Sequence, residues 1–244
     1  MERAPARVRR ARRQQGGKTT DSQRIGQMLA ATPTLSILDA ADLAELAASC
    51  RVRRVRRGQI LFSEGDPADS LVVLASGRLR VLVSSAEGGE LVLQVINPGD
   101  SLGEVGCLDG GPRSATVEAV QDSLLVQLPA SELLTLVDRR PELARHLLSQ
   151  LASDLRRLTG AAADLVFLDV SRRVAKLLVQ EVDRAGTCDL ELVETQGEIG
   201  ARVGGTRQSV NSALHALERR GWLEVSSRHI LVRDVDSVRR FAAS

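Results

Sequence analysis

The hydrophobic period of this chain changes part-way along, and that change limits what it can fold into. From Arg51 to about Val95 apolar residues alternate along short runs: Ile60 with Phe62, Leu79-Val81-Val83, and Leu91-Leu93-Val95. Gly58, Gly65-Asp66, Gly77, Gly88-Gly89 and Gly99-Asp100 punctuate them. A period of two fits strands whose side chains point to opposite faces in turn, and glycine supplies the freedom that tight turns need. Many short strands at this spacing predict a compact antiparallel barrel or roll. After Ala130 the period lengthens: Pro141 suits the first turn of a helix, and Leu148, Leu151, Leu155, Leu158, Ala162 and Leu165 follow at alternating steps of three and four. Such a narrow heptad seam predicts two helices side by side, and so a homodimer; the alternative is a helix packed on its own domain through a wider stripe.

The caps place further helices. Asp39 is a good N-cap for a first helix whose stripe is Leu43, Leu46, Ala47 and Cys50. Phe167-Leu168-Asp169-Val170 interrupts the seam, and Asp169 or Ser171 can cap a helix carrying Val174, Leu177, Leu178 and Val182. A hinge between domains is therefore expected there. Thr195-Gln196-Gly197-Glu198 reads as a capping box, followed by Ile199, Gly200, Val203 and Gly204. Thr206 then caps a helix bearing Val210, Ala213, Leu214 and Leu217. Two short helices about a glycine turn are the helix-turn-helix layout, with Gly200 permitting close helix contact and Gly204 the turn. Gly221 and a hairpin of Leu223-Glu224-Val225 with Ile230-Leu231-Val232 would add a wing. The second helix leaves Arg207, Gln208, Asn211, Ser212 and His215 on its outward face. Arginine suits guanine O6 and N7, and the amides suit adenine N6 and N7, so this face has the chemistry of major-groove readout rather than of a merely solvated surface.

One further segment carries ligand chemistry. Gly103-Glu104-Val105-Gly106-Cys107-Leu108-Asp109-Gly110-Gly111-Pro112-Arg113-Ser114-Ala115-Thr116 sets a carboxylate, an arginine and a hydroxyl around a glycine-rich turn. Glycine lets backbone N–H groups approach an anion, arginine grips phosphate oxygens in pairs, and Ser114 adds a neutral donor. Glu104 accepts, which suits a sugar hydroxyl and repels a bare phosphate, so the pair points to one ligand carrying both groups. The alternative is a surface turn with an incidental ion pair.

In this order the segment closely resembles the phosphate-binding cassette of the cyclic-AMP receptor protein, or Crp/Fnr, family. The same family carries F-L-D-V at the join of its dimer helix and DNA-binding domain. Its usual recognition motif, S-R-E-x-V-x-R, stands here as T-R-Q-S-V-N-S: Arg207 is kept, whereas Gln208 and Ser212 replace a glutamate and an arginine. The likeness covers nearly all of Leu35 to Arg240 and implies an α+β protein. Its parts would be a basic tail over 1–24, a cyclic-nucleotide-binding β-roll of the jelly-roll type over 25–138, a dimerisation helix over 139–168 and a winged helix-turn-helix over 169–244. It implies cAMP as allosteric effector within the cassette, Gly103, Glu104, Val105, Arg113, Ser114 and Ala115. Glu104 would meet the ribose, Arg113 and Ser114 the cyclic phosphate, and Val81 and Leu93 the base. Leu158 and Thr159 stand where the family has a Thr-Ser pair that meets adenine, so another cyclic nucleotide stays open. Thr206, Arg207, Gln208, Asn211 and Ser212 would contact double-stranded DNA. A dimeric transcription regulator controlled by a cyclic nucleotide follows, with RNA polymerase a possible partner; the alternative is a family member using another effector or none.

Composition sets outer bounds. With 43% hydrophobic and 26% charged residues, 244 residues suffice for two modest domains. No apolar run approaches the roughly 20 residues of a membrane span, and no hydrophobic segment follows the N-terminal arginines, so a cytoplasmic site and no membrane partner are expected. Cys50, Cys107 and Cys188 are scattered and read as reduced; Cys50 lies on a helical stripe and reads as a core thiol. His146, His215 and His229 lie far apart, so no metal site is expected, and a cyclic-nucleotide hydrolase lacks the clustered ligands that metal-assisted hydrolysis needs. Residues 1–24 hold eight basic and two acidic side chains, a net +6 against a whole-chain +2; this stretch is expected to contact nucleic acid or to be an unfolded leader. Residues 195–244 hold eight arginines and five acidic residues, a mild excess that favours a polyanion.

Overall fold

The computed structural model describes residues 22–191, 194–226 and 229–243; most of the stretch expected as a basic tail lies outside them. The described residues divide into two compact units, the chain up to Leu82 with Val95–Ser153, and Val83–Gln94 with the chain from Asp154 onward.

The roll is present as two four-stranded sheets. Its strands are β1 (Arg51–Val55), β2 (Ile60–Phe62), β3 (Ser70–Ser76), β4 (Leu79–Ser84), β5 (Glu90–Ile96), β6 (Ser101–Leu102), β7 (Thr116–Ala119) and β8 (Ser123–Pro129). They run in the orders β1-β8-β3-β6 and β2-β7-β4-β5. The central pair, β3 with β8, is antiparallel from Ser70 opposite Pro129 to Leu74 opposite Leu125. β3 is buried on both faces. Its Val72 and Leu74 join Leu79, Ile96, Val117 and Leu125, while Leu71 and Val73 join Val126, Leu128, Leu133 and Leu136.

The alternation marks β4 and β5 as strands but does not tell which face is buried. Val81, Val83, Leu91, Leu93 and Val95 are only half-buried, whereas Leu82, Val92 and Ile96 are fully buried. Both faces of these strands carry apolar residues, so residue type does not reveal which face points inward.

The helix at Asp39 is real but is not the first. A helix over 22–30, α1, precedes it and buries Ile25 and Leu29, so the last three positions of the expected tail are helical. Gly26 and flanking polar residues mask its short stripe, and tertiary burial outweighs that weak local pattern. In α2 (Ala40–Ser49) the Asp39 carboxylate accepts from the N–H groups of Ala41 and Asp42, both at 2.9 Å. Cys50 lies just past α2, where burial pushes its thiol up to about 12, as befits a protonated core residue. A short helix, α3 (Glu104–Asp109), sits in the cassette, and α4 (Ala130–Arg139) leads to α5 (Pro141–Phe167).

Leu143 and Leu147 of α5 are buried with the α2 and α4 core, but the seam predicted for pairing is open. Leu148 and Leu155 are 65% and 67% exposed, and Leu158 and Leu165 are exposed as well.

The second unit holds the remaining elements. They are α6 (Val170–Ala185), β9 (Asp189–Glu191), α7 (Gln196–Val203), α8 (Arg207–Arg219), β10 (Leu223–Val225), β11 (His229–Val232) and α9 (Val235–Ala243). Val174, Leu177, Leu178 and Val182 of α6 meet Ile199, Val210, Leu214 and Leu217 in one core. The hairpin pairs as expected, Leu223 opposite Val232, and β9 adds a third strand that a three-residue run did not announce.

Leu74 is fully buried at the β3–β8 centre, so Leu74→Ala is expected to cost about 2 to 5 kcal/mol in urea unfolding. A loss below about 0.5 kcal/mol would contradict this placement.

Candidate functional site

The cassette is built around one buried charge. Gly103 caps α3 with φ 88°, and a Cβ there would collide with Nη1 of Arg113. Glycine is thus what lets the guanidinium lie against the backbone. Arg113 is 4% exposed. Its Nη2 donates to the Ser70 carbonyl at 2.8 Å and its Nη1 to the Gly103 carbonyl at 3.3 Å, while its guanidinium carbon lies 4.1 Å from the centroid of the Phe62 ring. Asp69 Oδ1, at 3.6 Å, belongs to a side chain that is 85% exposed. Nε is buried and has no hydrogen-bond partner.

A buried cation among mostly neutral acceptors, with an orphaned donor, is a site that an anion completes. Around it, Glu104 is half-buried in the first turn of α3, Val105 and Ser114 are exposed, and Ala115 is buried. Cys107 is buried in α3, and that burial raises its thiol even though Arg113 acts against the shift. The structure therefore brings Gly103 and Arg113 into direct contact. Val81 lies on β4 opposite Val117, packed against the roll core. Leu93 and Thr159 belong to the second unit. The Leu93 carbonyl accepts from Arg157 Nη1 at 3.1 Å, and the Thr159 hydroxyl donates to the Leu155 carbonyl at 2.8 Å. Sequence reasoning missed Phe62 and Ser70. Only the scarcity of phenylalanine, three in the chain, marks Phe62 as unusual.

The second motif forms as its caps dictate. Thr195 Oγ1 accepts from the Glu198 N–H at 3.3 Å, and Glu198 Oε2 accepts from the Thr195 N–H at 2.6 Å. Asp169, not Ser171, caps α6 by accepting from the Arg172 N–H at 2.9 Å. A Cβ on Gly200 would stand 2.8 Å from the Gly205 carbonyl oxygen, so only glycine allows the chain between α7 and α8 to pass this close. Gly204 ends α7 in the left-handed region, and Thr206 forms a capping box with Ser209.

On α8, Arg207, Gln208, Ser212 and His215 are exposed. Asn211 differs from the expected outward residue: it is half-buried, and its Oδ1 accepts from Gln196 Nε2 of α7 at 3.2 Å. The two motif helices lie close enough at this level for the amides to meet. Glu218 Oε1 accepts from the Val225 N–H at 3.0 Å, tying α8 to the wing and holding that carboxyl below its usual range.

Two arginines in this unit went unnoticed in the sequence. Arg202 of α7 bridges Glu194 at 2.6 Å and Glu181 of α6 at 2.9 Å. Arg173 donates to the carbonyls of Leu165, Leu168 and Gly204 at 3.2, 2.9 and 3.1 Å, joining the end of α5 to the motif's turn. Among the described residues no cluster of His, Cys, Asp and Glu could hold a metal ion, and no helix is long and apolar enough to cross a membrane.

Known proteins match both halves of this arrangement. The cyclic nucleotide-binding domain family matches residues 52–140, and the Crp-like helix-turn-helix domain family matches residues 172–241. The CRP-like cAMP-activated global transcriptional regulator of Mycobacterium tuberculosis is 35% identical over 191 residues, which are 76% of this chain and 85% of that protein. The chain belongs to the Crp/Fnr family of transcriptional regulators. Another Crp/Fnr relative, the cyclic AMP receptor protein of Thermus thermophilus, is 33% identical over 191 residues, 78% of this chain and 88% of that one. FixK2 from Bradyrhizobium japonicum superposes with a TM-score of 0.73, covering 80% of this chain and 98% of that chain at 24% identity, a likeness that bears on the fold alone. As a Crp/Fnr protein the chain is a transcription regulator with a cyclic-nucleotide-binding domain and a DNA-binding helix-turn-helix.

The Arg202 bridge gives this unit an acid sensitivity. Burial raises the Glu181 carboxyl, but the Arg202 hydrogen bond and the charges of Arg202 and Arg184 outweigh it, leaving the group below its ordinary value. Since the folded value lies below the unfolded one, the stabilisation is complete above an unfolded value of about 4.3 and is lost as pH falls through the folded value. The thermal midpoint of this unit is expected to drop below about pH 4.5 and to do so less steeply in Arg202→Met. Equal acid profiles would contradict the assignment.

Proposed function

We propose that the chain is a homodimeric, sequence-specific transcription regulator whose DNA affinity is set by a cyclic nucleotide, with cAMP the effector. The observation that carries this reading is the buried Arg113 guanidinium with its unpartnered Nε. A cyclic phosphate supplies an acceptor for Nε and a negative charge beyond that of the exposed Asp69 carboxylate. Arg113 and the exposed Ser114 hydroxyl hold the phosphate and Glu104 takes the ribose hydroxyl, with Gly103, Val105 and Ala115 shaping the cassette. Val81, Leu93 and Thr159 are assigned to the base. The names of the Mycobacterium tuberculosis and Thermus thermophilus relatives support cAMP. Leu158, in place of one member of the family's polar pair, is the residue that makes base identity worth measuring.

Dimerisation would use the exposed α5 seam, Leu148, Leu151, Leu155, Leu158, Ala162 and Leu165. Four large apolar residues of this seam are uncovered in the single chain, which pairing would remedy. Thr206, Arg207, Gln208, Asn211 and Ser212 would contact DNA. Nucleotide binding would bias the chain about Asp169 toward a state in which two recognition helices meet successive major grooves, a spacing that the handling of DNA by such dimers requires. RNA polymerase as a partner, a cytoplasmic site and the absence of catalysis belong to the same proposal. So do the domain limits 25–138, 139–168 and 169–244.

Arg113→Ala is expected to weaken cAMP binding by about 1.5 to 3 kcal/mol in calorimetry, the range for a hydrogen bond to a charged group. Equal affinity in both proteins would sink the nucleotide reading, and a response to a different cyclic nucleotide in the same titration would reassign the base. Arg207→Ala is expected to lose roughly 1 to 3 kcal/mol at one base position of the operator. An unchanged sequence preference in a protection assay would remove α8 as the reader.

A further inference from the structure

We infer that Gln196, the first residue of α7, is a positioning residue for base recognition: it fixes which end of the Asn211 carboxamide faces DNA. The inference rests on the proposed reading of DNA by α8.

The argument starts from the chemistry of the amide. A free asparagine offers a carbonyl acceptor and an NH2 donor, and the pair together suits the N6 and N7 edge of adenine. Here the two ends are not equivalent. Asn211 Oδ1 already accepts from Gln196 Nε2 at 3.2 Å, across the gap between α7 and α8. Asn211 is half-buried, so turning its carboxamide while Gln196 keeps its own sense breaks this bond in a partly dry environment, where a lost hydrogen bond is costly. The backbone of Gln196 is held in place, since it immediately follows Thr195, whose capping box with Glu198 fixes the start of α7.

Asn211 also sits four residues beyond Arg207 and three beyond Gln208, both exposed, and so shares their face of α8. With Oδ1 drawn toward α7, the group left for DNA is the Nδ2 donor. In the major groove a donor selects acceptors, namely guanine O6 and N7, adenine N7 and thymine O4, and it has no partner on cytosine N4. Asn211 is thereby committed to an acceptor base rather than to the two-ended adenine contact that its residue type alone invites. Gln196 would decide specificity without touching a base.

The test reverses the donor. An ionised glutamate at 196 can only accept, so in Gln196→Glu the Asn211 carboxamide turns to donate from Nδ2 and shows Oδ1 outward. Base preferences of the full-length protein are read by sequencing the duplexes it retains from a randomised operator, at one salt concentration and with cAMP present. Gln196→Glu is expected to shift one position of each half-site from guanine or thymine toward cytosine or adenine, by about tenfold in relative retention, the scale of one good base contact. Gln196→Ala is expected to broaden that same position, and to have no further effect in an Asn211→Ala background.

Three failures are distinguishable. If Asn211→Ala changes a base preference but neither Gln196 variant does, the positioning role is overturned. If Asn211→Ala leaves every position unchanged, Asn211 is not a reader, and the inference falls together with that part of the DNA reading. A uniform fall in retention for Gln196→Ala, with no change at any single position, would assign Gln196 to the backbone instead and also overturn the proposal.

Discussion

The roll depends on a positive charge placed where water scarcely reaches. Arg113 extends beneath the cassette with its guanidinium on the face of Phe62, and backbone carbonyls of Ser70 and Gly103 take two of its nitrogens. Taking an ion out of water is expensive unless partners replace the solvent, and neutral carbonyls replace it only in part. The neighbouring elements make room for this ion. Gly103 leaves out the side chain that would strike it, β3 carries Ser70 to it, and β2 supplies Phe62. An anionic ligand therefore meets a site whose cost of assembly was met in folding, which is what preorganisation means for affinity.

The same economy of local fixing recurs in the DNA-binding unit, by different means. Thr195, Thr206 and Asp169 each start a helix with a side-chain cap, so the directions of α7, α8 and α6 are set locally. Arg202 then binds α7 to α6, Arg173 binds the turn to the end of α5, and Glu218 binds α8 to the wing. A helix-turn-helix tied at α7, at its turn and at α8 presents its exposed residues with little freedom. This rigidity is what makes the Gln196–Asn211 bond consequential, because a single amide can be held in one sense only on a fixed frame.

Much of this was legible in the sequence wherever local chemistry dictates local structure. Caps at Asp39, Asp169, Thr195 and Thr206, the close approach at Gly200 and the turn at Gly204 follow from short-range rules and hold in the structure. The missed features share a different cause. β3 is apolar on both faces, and α1 owes its place to Ile25 and Leu29 reaching a core formed by residues far along the chain. The inward face of β5 cannot be read from residue type, because Leu91 and Leu93 are as apolar as the buried Val92. Phe62 beneath Arg113, and Gln196 beside Asn211, are pairings between distant positions, and a period or a motif reports neither.

The central claim is that the charge site in the roll and the recognition helix are coupled through one equilibrium between two states. Thermodynamic reciprocity makes that claim direct to test: if cAMP raises affinity for an operator duplex by some factor, saturating duplex must raise affinity for cAMP by the same factor. Calorimetric titration of cAMP into the full-length protein, with and without a saturating operator duplex, measures this. A tighter cAMP constant in the presence of duplex, by about 5-fold to 150-fold, is the predicted result. An identical cAMP constant with and without duplex would contradict it.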